Sequence, residues 1–249
     1  MDAKTTDAKS PARIVIVQDA AALAEAAARR LVDRVSGKDR AAVALTGGAS
    51  PQGLYRLLAE EPWRGEVPWD RVHWFIGDDR FVPETDALSN MGAARRLFLD
   101  RVRAPRQNVH PIPTDTSSPE RAARLYEDDL KAFYGATKLD PARPMFDLVL
   151  MGLGDDGHTA SLFPNSPALE ETQHWALGIG KAGMEPFVPR VTLTFPMLAS
   201  TREMLFLVDG AEKRAILSRV LAGDDLPARR AYADGDLVWL VDRAAAPER

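Results

Sequence analysis

The sequence predicts an α/β protein with a mostly parallel sheet that is covered by helices on both faces. Apolar runs of five or six residues alternate with longer segments whose apolar residues recur at helical spacing. The linkers are short, and neither a repeat nor a low-complexity boundary divides the chain. We therefore expect one domain at residues 13–249, preceded by a flexible polar tail at residues 1–12.

Each predicted strand is an apolar run, and most of the predicted helices begin at a residue suited to a helix start. The strands are expected at residues 13–17, 41–46, 72–76, 146–151, 190–195, 204–208 and 237–241. The helices are expected at residues 19–35, 51–58, 90–102, 119–133 and 211–221. Asp19 and Ser89 are placed to cap helices, and Ser50 with Pro51 opens another.

The composition and charge of the chain argue against several classes of binding partner and location. The net charge of −4 and the pI near 5.7 argue against nucleic-acid or membrane-surface binding, for which a basic patch is expected. No apolar stretch approaches the length of a membrane span, and the polar first residues lack the apolar core of a signal peptide. The chain has no cysteine, which suits a reducing compartment. We expect a cytoplasmic protein.

Four polar segments follow predicted strands: TGGAS at 46–50, GDDR at 77–80, GLGDDGH at 152–158 and VDGAEK at 208–213. In open parallel sheets, ligands bind in the crevice beyond the carboxyl ends of the strands. The sequence therefore predicts that these segments meet at one site.

The TGGAS segment fits an anion such as phosphate. Gly47 and Gly48 allow the backbone to approach a ligand closely, and a helix begins at Ser50 and Pro51. Free N–H groups and the positive end of a helix favour an anion. A tight turn with a serine N-cap explains the same residues about equally well. The Walker A pattern is absent.

Several charged residues are candidate ligand contacts. Arg190 and Lys213 could pair with a phosphate, although solvated surface charges are the commoner fate of such residues. Asp78 or Asp79 could accept hydrogen bonds from sugar hydroxyls, and Arg80 could hold an anion. An ordinary polar loop explains these last three residues nearly as well.

His158 is the candidate general base. Its imidazole can take a proton from water near neutral pH, and Asp156 could fix its tautomer. A metal site is not expected, because no second histidine lies at ligand spacing and the other three histidines are scattered. A GxSxG elbow and cysteine are both absent, which argues against a nucleophilic hydrolase.

Six blocks of this sequence resemble the signature of the 6-phosphogluconolactonase family, in that family's order. They are TGGASP, FIGDDRFVPETDALSN, GLGDDGHTASLFP, PRVTLTFPML, GAEK and VWLVDRAAA. The resemblance implies a three-layer α/β/α, modified Rossmann-like fold within the superfamily that also contains glucosamine-6-phosphate deaminase. It implies hydrolysis of 6-phospho-D-glucono-1,5-lactone without a metal or organic cofactor. The resemblance leaves the oligomeric state open, and we favour a monomer over a dimer.

The resemblance also implies roles for particular residues. His158 would deprotonate water with support from Asp156, and Arg80 would lie on the charged or oxyanion side of the substrate. Residues that would hold the phosphate are Gly47, Gly48, Arg190 and Lys213. The family more often has threonine at position 50 and glutamate at positions 79 and 155, so a direct substrate contact from Asp79 or Asp155 is in doubt.

Two alternative functions remain open. The first is an isomerase/deaminase acting on glucosamine 6-phosphate. That relative carries a glutamate five residues beyond the histidine, where this chain has Phe163. The second is a non-catalytic sugar-phosphate sensor, which no DNA-binding motif or basic surface supports.

Overall fold

The computed structural model describes residues 12–248, so the predicted tail lies, except for Ala12, outside the described residues. Nine strands lie within this range: β1 (Arg13–Val17), β2 (Ala41–Leu45), β3 (Val72–Ile76), β4 (Asp78–Arg80), β5 (Leu148–Met151), β6 (Ala176–Ile179), β7 (Arg190–Leu193), β8 (Glu203–Val208) and β9 (Asp236–Asp242). Six of these strands form a parallel sheet in the order β1-β9-β8-β5-β2-β3.

Eight α-helices lie within the same range: α1 (Ala20–Val35), α2 (Pro51–Leu58), α3 (Trp63–Glu66), α4 (Asn90–Ala94), α5 (Pro119–Tyr134), α6 (Phe195–Ala199), α7 (Arg214–Ala222) and α8 (Pro227–Arg230). The predicted caps are present, because Asp19 accepts a hydrogen bond from Ala22 N and Ser89 accepts one from Gly92 N. None of these helices is long and apolar enough to cross a bilayer.

The central strands are buried on both faces, which explains why they are apolar without alternation. Every residue of β2, β5 and β8 is buried. Helix α1 packs against α2 and β9, and the rings of Phe206 and Trp239 stack with their centroids 3.9 Å apart between β8 and β9. Burial of this continuous apolar layer is the main stabilising contribution.

The strand order reverses between β2 and β5. From β2 the chain proceeds outward to β3, whereas from β5 it proceeds in the opposite direction through β8 to β9. The loops that follow β2 and β5 therefore diverge and leave a crevice at the carboxyl edge of the sheet. This is the position at which open α/β sheets bind ligands.

A second, antiparallel sheet was not predicted. It consists of β4, β7 and β6 in that order, and α5 packs against β6 and β7. The segment predicted as a strand at 190–195 belongs to this sheet and ends at Leu193. Thr194 then precedes α6, whose second residue, Pro196, suits the first turn of a helix because it has no N–H to satisfy.

Two predicted helices have irregular segments. The helix expected at 90–102 is the short α4 followed by a π-helical turn at Arg95–Leu99. The helix expected at 211–221 begins as a 3-10 turn at Ala211–Lys213, and α7 starts only at Arg214.

Candidate active site

A cavity of about 290 Å³ opens at the carboxyl ends of β2, β5 and β8, beside β4. Residues from all four polar segments line it, so the predicted convergence of these segments is observed. Eight predicted site residues lie on its wall: Gly47, Gly48, Ser50, Asp78, Arg80, His158, Arg190 and Lys213. The ninth, Asp156, is hydrogen-bonded to His158.

His158 is held by Asp156 through two hydrogen bonds. The ring Nδ1 lies 2.6 Å from Asp156 Oδ1, and the backbone N of His158 donates to the same oxygen at 3.0 Å. An ionised carboxylate only accepts, so Nδ1 carries the proton in this contact and Nε2 keeps its lone pair. Because the imidazole also lines the cavity, Nε2 is a base within reach of a bound water.

Asp156 remains ionised in this contact. Partial burial raises the pKa of Asp156, but the hydrogen bonds from the His158 imidazole and backbone N–H outweigh burial, and the net pKa lies below its ordinary value. The carboxylate therefore fixes the tautomer of His158 and stabilises the imidazolium that forms when Nε2 takes a proton.

The backbone between β5 and Thr159 is shaped to carry the imidazole. Thr159 Oγ1 donates to the carbonyl of Gly152 at 2.9 Å, and Gly154 N donates to the carbonyl of His158 at 2.8 Å. A Cβ atom on Gly154 would lie 2.0 Å from the Nδ1 atom of His158. Only glycine at position 154 therefore lets the imidazole lie this close to the loop.

Two arginines face each other on neighbouring strands of the small sheet. Arg80 of β4 is the register partner of Arg190 of β7. Burial lowers the pKa of Arg190 below its ordinary value, and the positive charge of Arg80 lowers it further. Like charges directly opposite each other destabilise a sheet, so this pair has an energetic cost that a bound anion would relieve.

Both guanidinium groups have an unused donor. The Nε atoms of Arg80 and Arg190 are buried and have no hydrogen-bond partner among the described residues. Arg80 Nη1 donates to Leu88 O and Asn90 Oδ1, and Arg190 Nη2 donates to Pro186 O. A buried unpaired donor is costly, and the two side chains also line the cavity, where an anion would offset their positive charges.

The glycine segment after β2 borders the same cavity. Gly48 has a φ of +95°, a conformation that side-chain-bearing residues rarely adopt. Ser50 directly precedes α2 and Pro51 is its first residue, as the turn alternative predicts, but Ser50 has helical dihedral angles and its side chain makes no capping hydrogen bond. Its hydroxyl is therefore free of a capping role at the cavity wall, next to the amino terminus of α2.

Lys213 also lines the cavity and is paired with Asp155. Its Nζ atom is 2.5 Å from Asp155 Oδ1. Lys213 is the last residue of a 3-10 turn and directly precedes α7 rather than lying in its first turn. A phosphate bound by Lys213 would share it with Asp155 or displace that carboxylate.

The two adjacent aspartates of β4 have different roles. Asp78 lines the cavity and accepts a 2.6 Å hydrogen bond from the Ser161 hydroxyl. Asp79 accepts hydrogen bonds from Ser89 and from the backbone N–H groups of Asn90 and Met91 at the start of α4. Burial raises the pKa of Asp79 to about 6. Because its carboxylate is buried and bonded to the start of α4, Asp79 is not placed to contact a substrate in the cavity.

Some wall residues were not singled out from the sequence. Asn90 was noted only as a helix start, yet its side chain bonds Arg80 and the carbonyl of Asp78. Met184 and Glu185 reach the wall from the segment between β6 and β7. The sequence does not place Met184 and Glu185 at the site, because β6 carries no strong strand signal. For Asn90 a signal was available, since the polar Ser89-Asn90 pair follows the GDDR segment.

Two of the other three histidines, which are far apart in the sequence, lie next to each other in the structure. His73 Nδ1 lies 3.0 Å from His110 Nε2, and His110 Nδ1 lies 2.8 Å from Asp129 Oδ2. Within residues 12–248, no group of three or more histidine, aspartate or glutamate side chains is arranged to hold a metal ion.

A family comparison identifies the chain. Residues 17–239 match the family described as glucosamine-6-phosphate isomerases/6-phosphogluconolactonase. The chain belongs to this family. The resemblance inferred from the six sequence blocks is thereby confirmed.

Individual members of the family are similar over nearly their whole length. The 6-phosphogluconolactonase of a Synechocystis species is 38% identical over 221 residues, which cover 87% of this chain and 88% of that protein. The crystal structure of the Thermotoga maritima 6-phosphogluconolactonase is 31% identical with a TM-score of 0.80, covering 94% of this chain and all of that one.

A monomeric glucosamine-6-phosphate deaminase structure superposes with a TM-score of 0.79 at 18% identity, covering 94% of this chain and 98% of that one. At that identity the likeness concerns the fold alone. The predicted α/β/α fold with a mostly parallel sheet is confirmed by these neighbours.

Proposed function

We propose that this protein hydrolyses 6-phospho-D-glucono-1,5-lactone to 6-phospho-D-gluconate, in the oxidative pentose phosphate pathway. The 6-phosphogluconolactonases that match most of the chain support this reaction. The observation that carries the proposal is that an Asp156-bound His158 lines the same cavity as two arginines with unpaired Nε atoms. A base and an anion site in one cavity suit a phosphorylated lactone.

In the proposed mechanism His158 activates water. The Nε2 atom takes a proton as the water oxygen forms a bond to the lactone carbonyl carbon, and the carbonyl oxygen becomes an oxyanion. When this intermediate collapses, the bond from the carbonyl carbon to the ring oxygen breaks, and the imidazolium returns its proton to that oxygen. General base catalysis of this kind contributes roughly 10²–10⁴-fold.

The cationic wall would bind and orient the substrate. We assign Arg190, Lys213, and the Gly47 and Gly48 backbone to the phosphate, and Arg80 to the charged or oxyanion side. Ser50 and Asp78 line the same cavity, and we assign them to contacts with the substrate. Phosphate binding far from the reacting carbon supplies energy that positions the carbonyl against the water. The chemistry requires only water, a base and hydrogen-bond donors.

The main alternative is isomerisation and deamination of glucosamine 6-phosphate. The family resemblance associates that reaction with a glutamate five residues beyond the histidine. At this position the Phe163 ring packs against the His158 imidazole, with centroids 4.7 Å apart. An apolar ring there cannot relay a proton, which favours hydrolysis.

The non-catalytic sensor stays an open alternative. Three further statements stay predictions: a monomer rather than a dimer, a cytoplasmic location and the absence of a nucleic-acid partner. The net charge of −4 supports the last of these.

The test measures lactone opening directly. The lactone is generated freshly from glucose 6-phosphate by its dehydrogenase, and its opening is followed through coupled NADPH formation, beside an enzyme-free reaction. A parallel arm measures ammonia released from glucosamine 6-phosphate. We expect opening faster than the spontaneous rate and no ammonia.

Each other outcome contradicts the proposal in a different way. Ammonia release without accelerated lactone opening would favour the deaminase. Binding of the phosphosugar without turnover in either arm would favour the sensor.

A further inference from the structure

Asn90 lies where three segments of the cavity wall meet. It is the first residue of α4 and is 5% exposed. Its side chain is so close to the glycine segment that a Cβ atom on Gly47 would lie 2.0 Å from Asn90 Oδ1. Its backbone N donates to Asp79 Oδ1 at 2.6 Å. The side chain is therefore fixed between the loop after β2, strand β4 and helix α4.

Both ends of the Asn90 amide are used, which sets its orientation. Nδ2 donates to the carbonyl of Asp78 at 2.9 Å, and Oδ1 accepts from Arg80 Nη1 at 3.0 Å. A flipped amide would point a donor at the guanidinium and an oxygen at a carbonyl. The observed orientation is the one that satisfies both contacts.

Arg80 needs such a restraint because Arg190 repels it. The two residues are register partners on β4 and β7, and the charge of Arg80 lowers the pKa of Arg190. Arg80 Nη1 is held by the carbonyl of Leu88 at 2.7 Å and by Asn90 Oδ1. The Nε atom of Arg80 is buried and has no partner among the described residues, while the Arg80 side chain lines the cavity.

We propose that Asn90 is a positioning residue that holds the Arg80 guanidinium beside Arg190, so that the two cations bind the anionic substrate together. This inference rests on the proposed function of the cavity, but it concerns anion binding rather than the chemical step. Asn90 acts through Arg80 and need not touch the substrate. Without it, repulsion moves the guanidinium away from Arg190 and lowers affinity for the anion.

A double-mutant cycle tests the proposal. The variants are Asn90→Ala, Arg80→Ala and the double variant, and the readouts are KM for the lactone and the Kd of inorganic phosphate by calorimetry. We expect Asn90→Ala to raise KM and Kd about tenfold, the loss typical of one charge-assisted hydrogen bond, with a smaller change in kcat. In the Arg80→Ala background the same substitution should change neither value.

A matched control separates positioning from general destabilisation. Asn108 is also 5% exposed, and its Nδ2 donates to the carbonyls of Asp70 and Val72 at the amino end of β3, away from the cavity. Asn108→Ala should lower Tm without changing KM or Kd. If Asn90→Ala does not fold, Asn90→Ser carries the same test, because it keeps a small polar group at this buried position but is one atom too short for the contact with Arg80.

Two results would overturn the proposal: additive effects of the two substitutions, or unchanged phosphate affinity in Asn90→Ala. Failure of the proposed function is distinguishable from either result. In that case wild-type protein would not accelerate lactone opening, while the phosphate measurements would still report on the coupling of Asn90 and Arg80.

Discussion

The hydrogen bond between Asp156 and His158 decides which ring nitrogen can act as a base. With Nδ1 protonated and held at 2.6 Å, only Nε2 has a lone pair for water. The lowered pKa of Asp156 keeps this arrangement intact through neutral pH. The role of His158 therefore depends on a residue that makes no proton transfer of its own.

Asp156→Asn should lower kcat by roughly 10²-fold or more, with a smaller change in KM. The amide oxygen can still accept from Nδ1 and from the His158 backbone N–H, but a neutral amide stabilises the imidazolium that forms during proton transfer far less than a carboxylate does. Steady-state kinetics of lactone opening measure the effect. A wild-type kcat in Asp156→Asn would show that the negative charge of Asp156 does not support His158.

Arg190→Ala should raise KM by about 10- to 100-fold while kcat changes little, because one charge-assisted contact to a phosphate contributes about 1.5–3 kcal/mol. Arg190 is 4% exposed, so Tm is measured in parallel to detect loss of folding. Arg219→Ala, an exposed arginine of α7 paired with Asp224, is the surface control and should leave KM unchanged. An unchanged KM in Arg190→Ala would contradict the phosphate assignment.

The loops that follow β2 and β5 carry residues of the proposed binding site at the ends of two apolar strands. Gly48 and Gly154 in these loops are each required for a different structural reason. Gly48 adopts a positive φ, whereas Gly154 leaves space for the His158 ring. These are local requirements, so the sequence motifs that meet them can be recognised before the structure is known.

Gly154→Ala should lower kcat by roughly tenfold or more, since its Cβ would lie 2.0 Å from His158 Nδ1 and must displace the imidazole from its position. Gly180→Ala is the matched control, because a Cβ at that position meets nothing within 4 Å. Kinetics of both variants, with Tm for each, make the comparison. Equal kcat values in the two variants would show that the imidazole tolerates the shift.

Much of the fold and the site could be predicted because the signals are local. Buried parallel strands are continuous apolar runs, and the residues at their carboxyl ends converge by topology alone. The small antiparallel sheet could not be predicted in this way. β4 is the three-residue polar segment Asp78–Arg80, and its pairing with β7 joins residues more than a hundred positions apart. The opposed Arg80 and Arg190 depend on that pairing, and so does the role of Asn90.

Within residues 12–248, two clusters of titratable groups lie in separate regions of the molecule. One is the cavity at the carboxyl edge of the sheet, and the other is the chain His73–His110–Asp129 beside the edge strand β3. Burial is the largest of the effects that lower the pKa of His73 to about 4; the neighbouring His110 and Arg40 act in the same direction, and Asp129 opposes them. The second region affects the stability of the fold.

The lowered pKa predicts acid sensitivity. The unfolded chain protonates His73 near pH 6.5, whereas the folded protein does so only near pH 4. The stability that His73 contributes is therefore fully present above pH 6.5 and is lost as pH falls toward 4. Because His73 is partly exposed, we expect a loss of order 1 kcal/mol between pH 7 and pH 5.

His73→Gln isolates this contribution, since the amide can still donate to His110 but does not titrate. Urea unfolding at pH 7 and pH 5 gives the free energy of unfolding of both proteins, and their difference should shrink or reverse toward pH 5. The same pH dependence in both proteins would assign the acid sensitivity to other groups.

The most direct test of the proposed chemistry is the turnover of His158→Ala with freshly generated 6-phosphogluconolactone, compared with wild type and an enzyme-free control. His174→Ala serves as a matched variant, because His174 is an exposed histidine paired with Glu171. We predict that His158→Ala loses at least about 10²-fold in kcat while binding inorganic phosphate as wild type does, and that His174→Ala is unaffected. Near-wild-type turnover in His158→Ala would contradict its role as the general base.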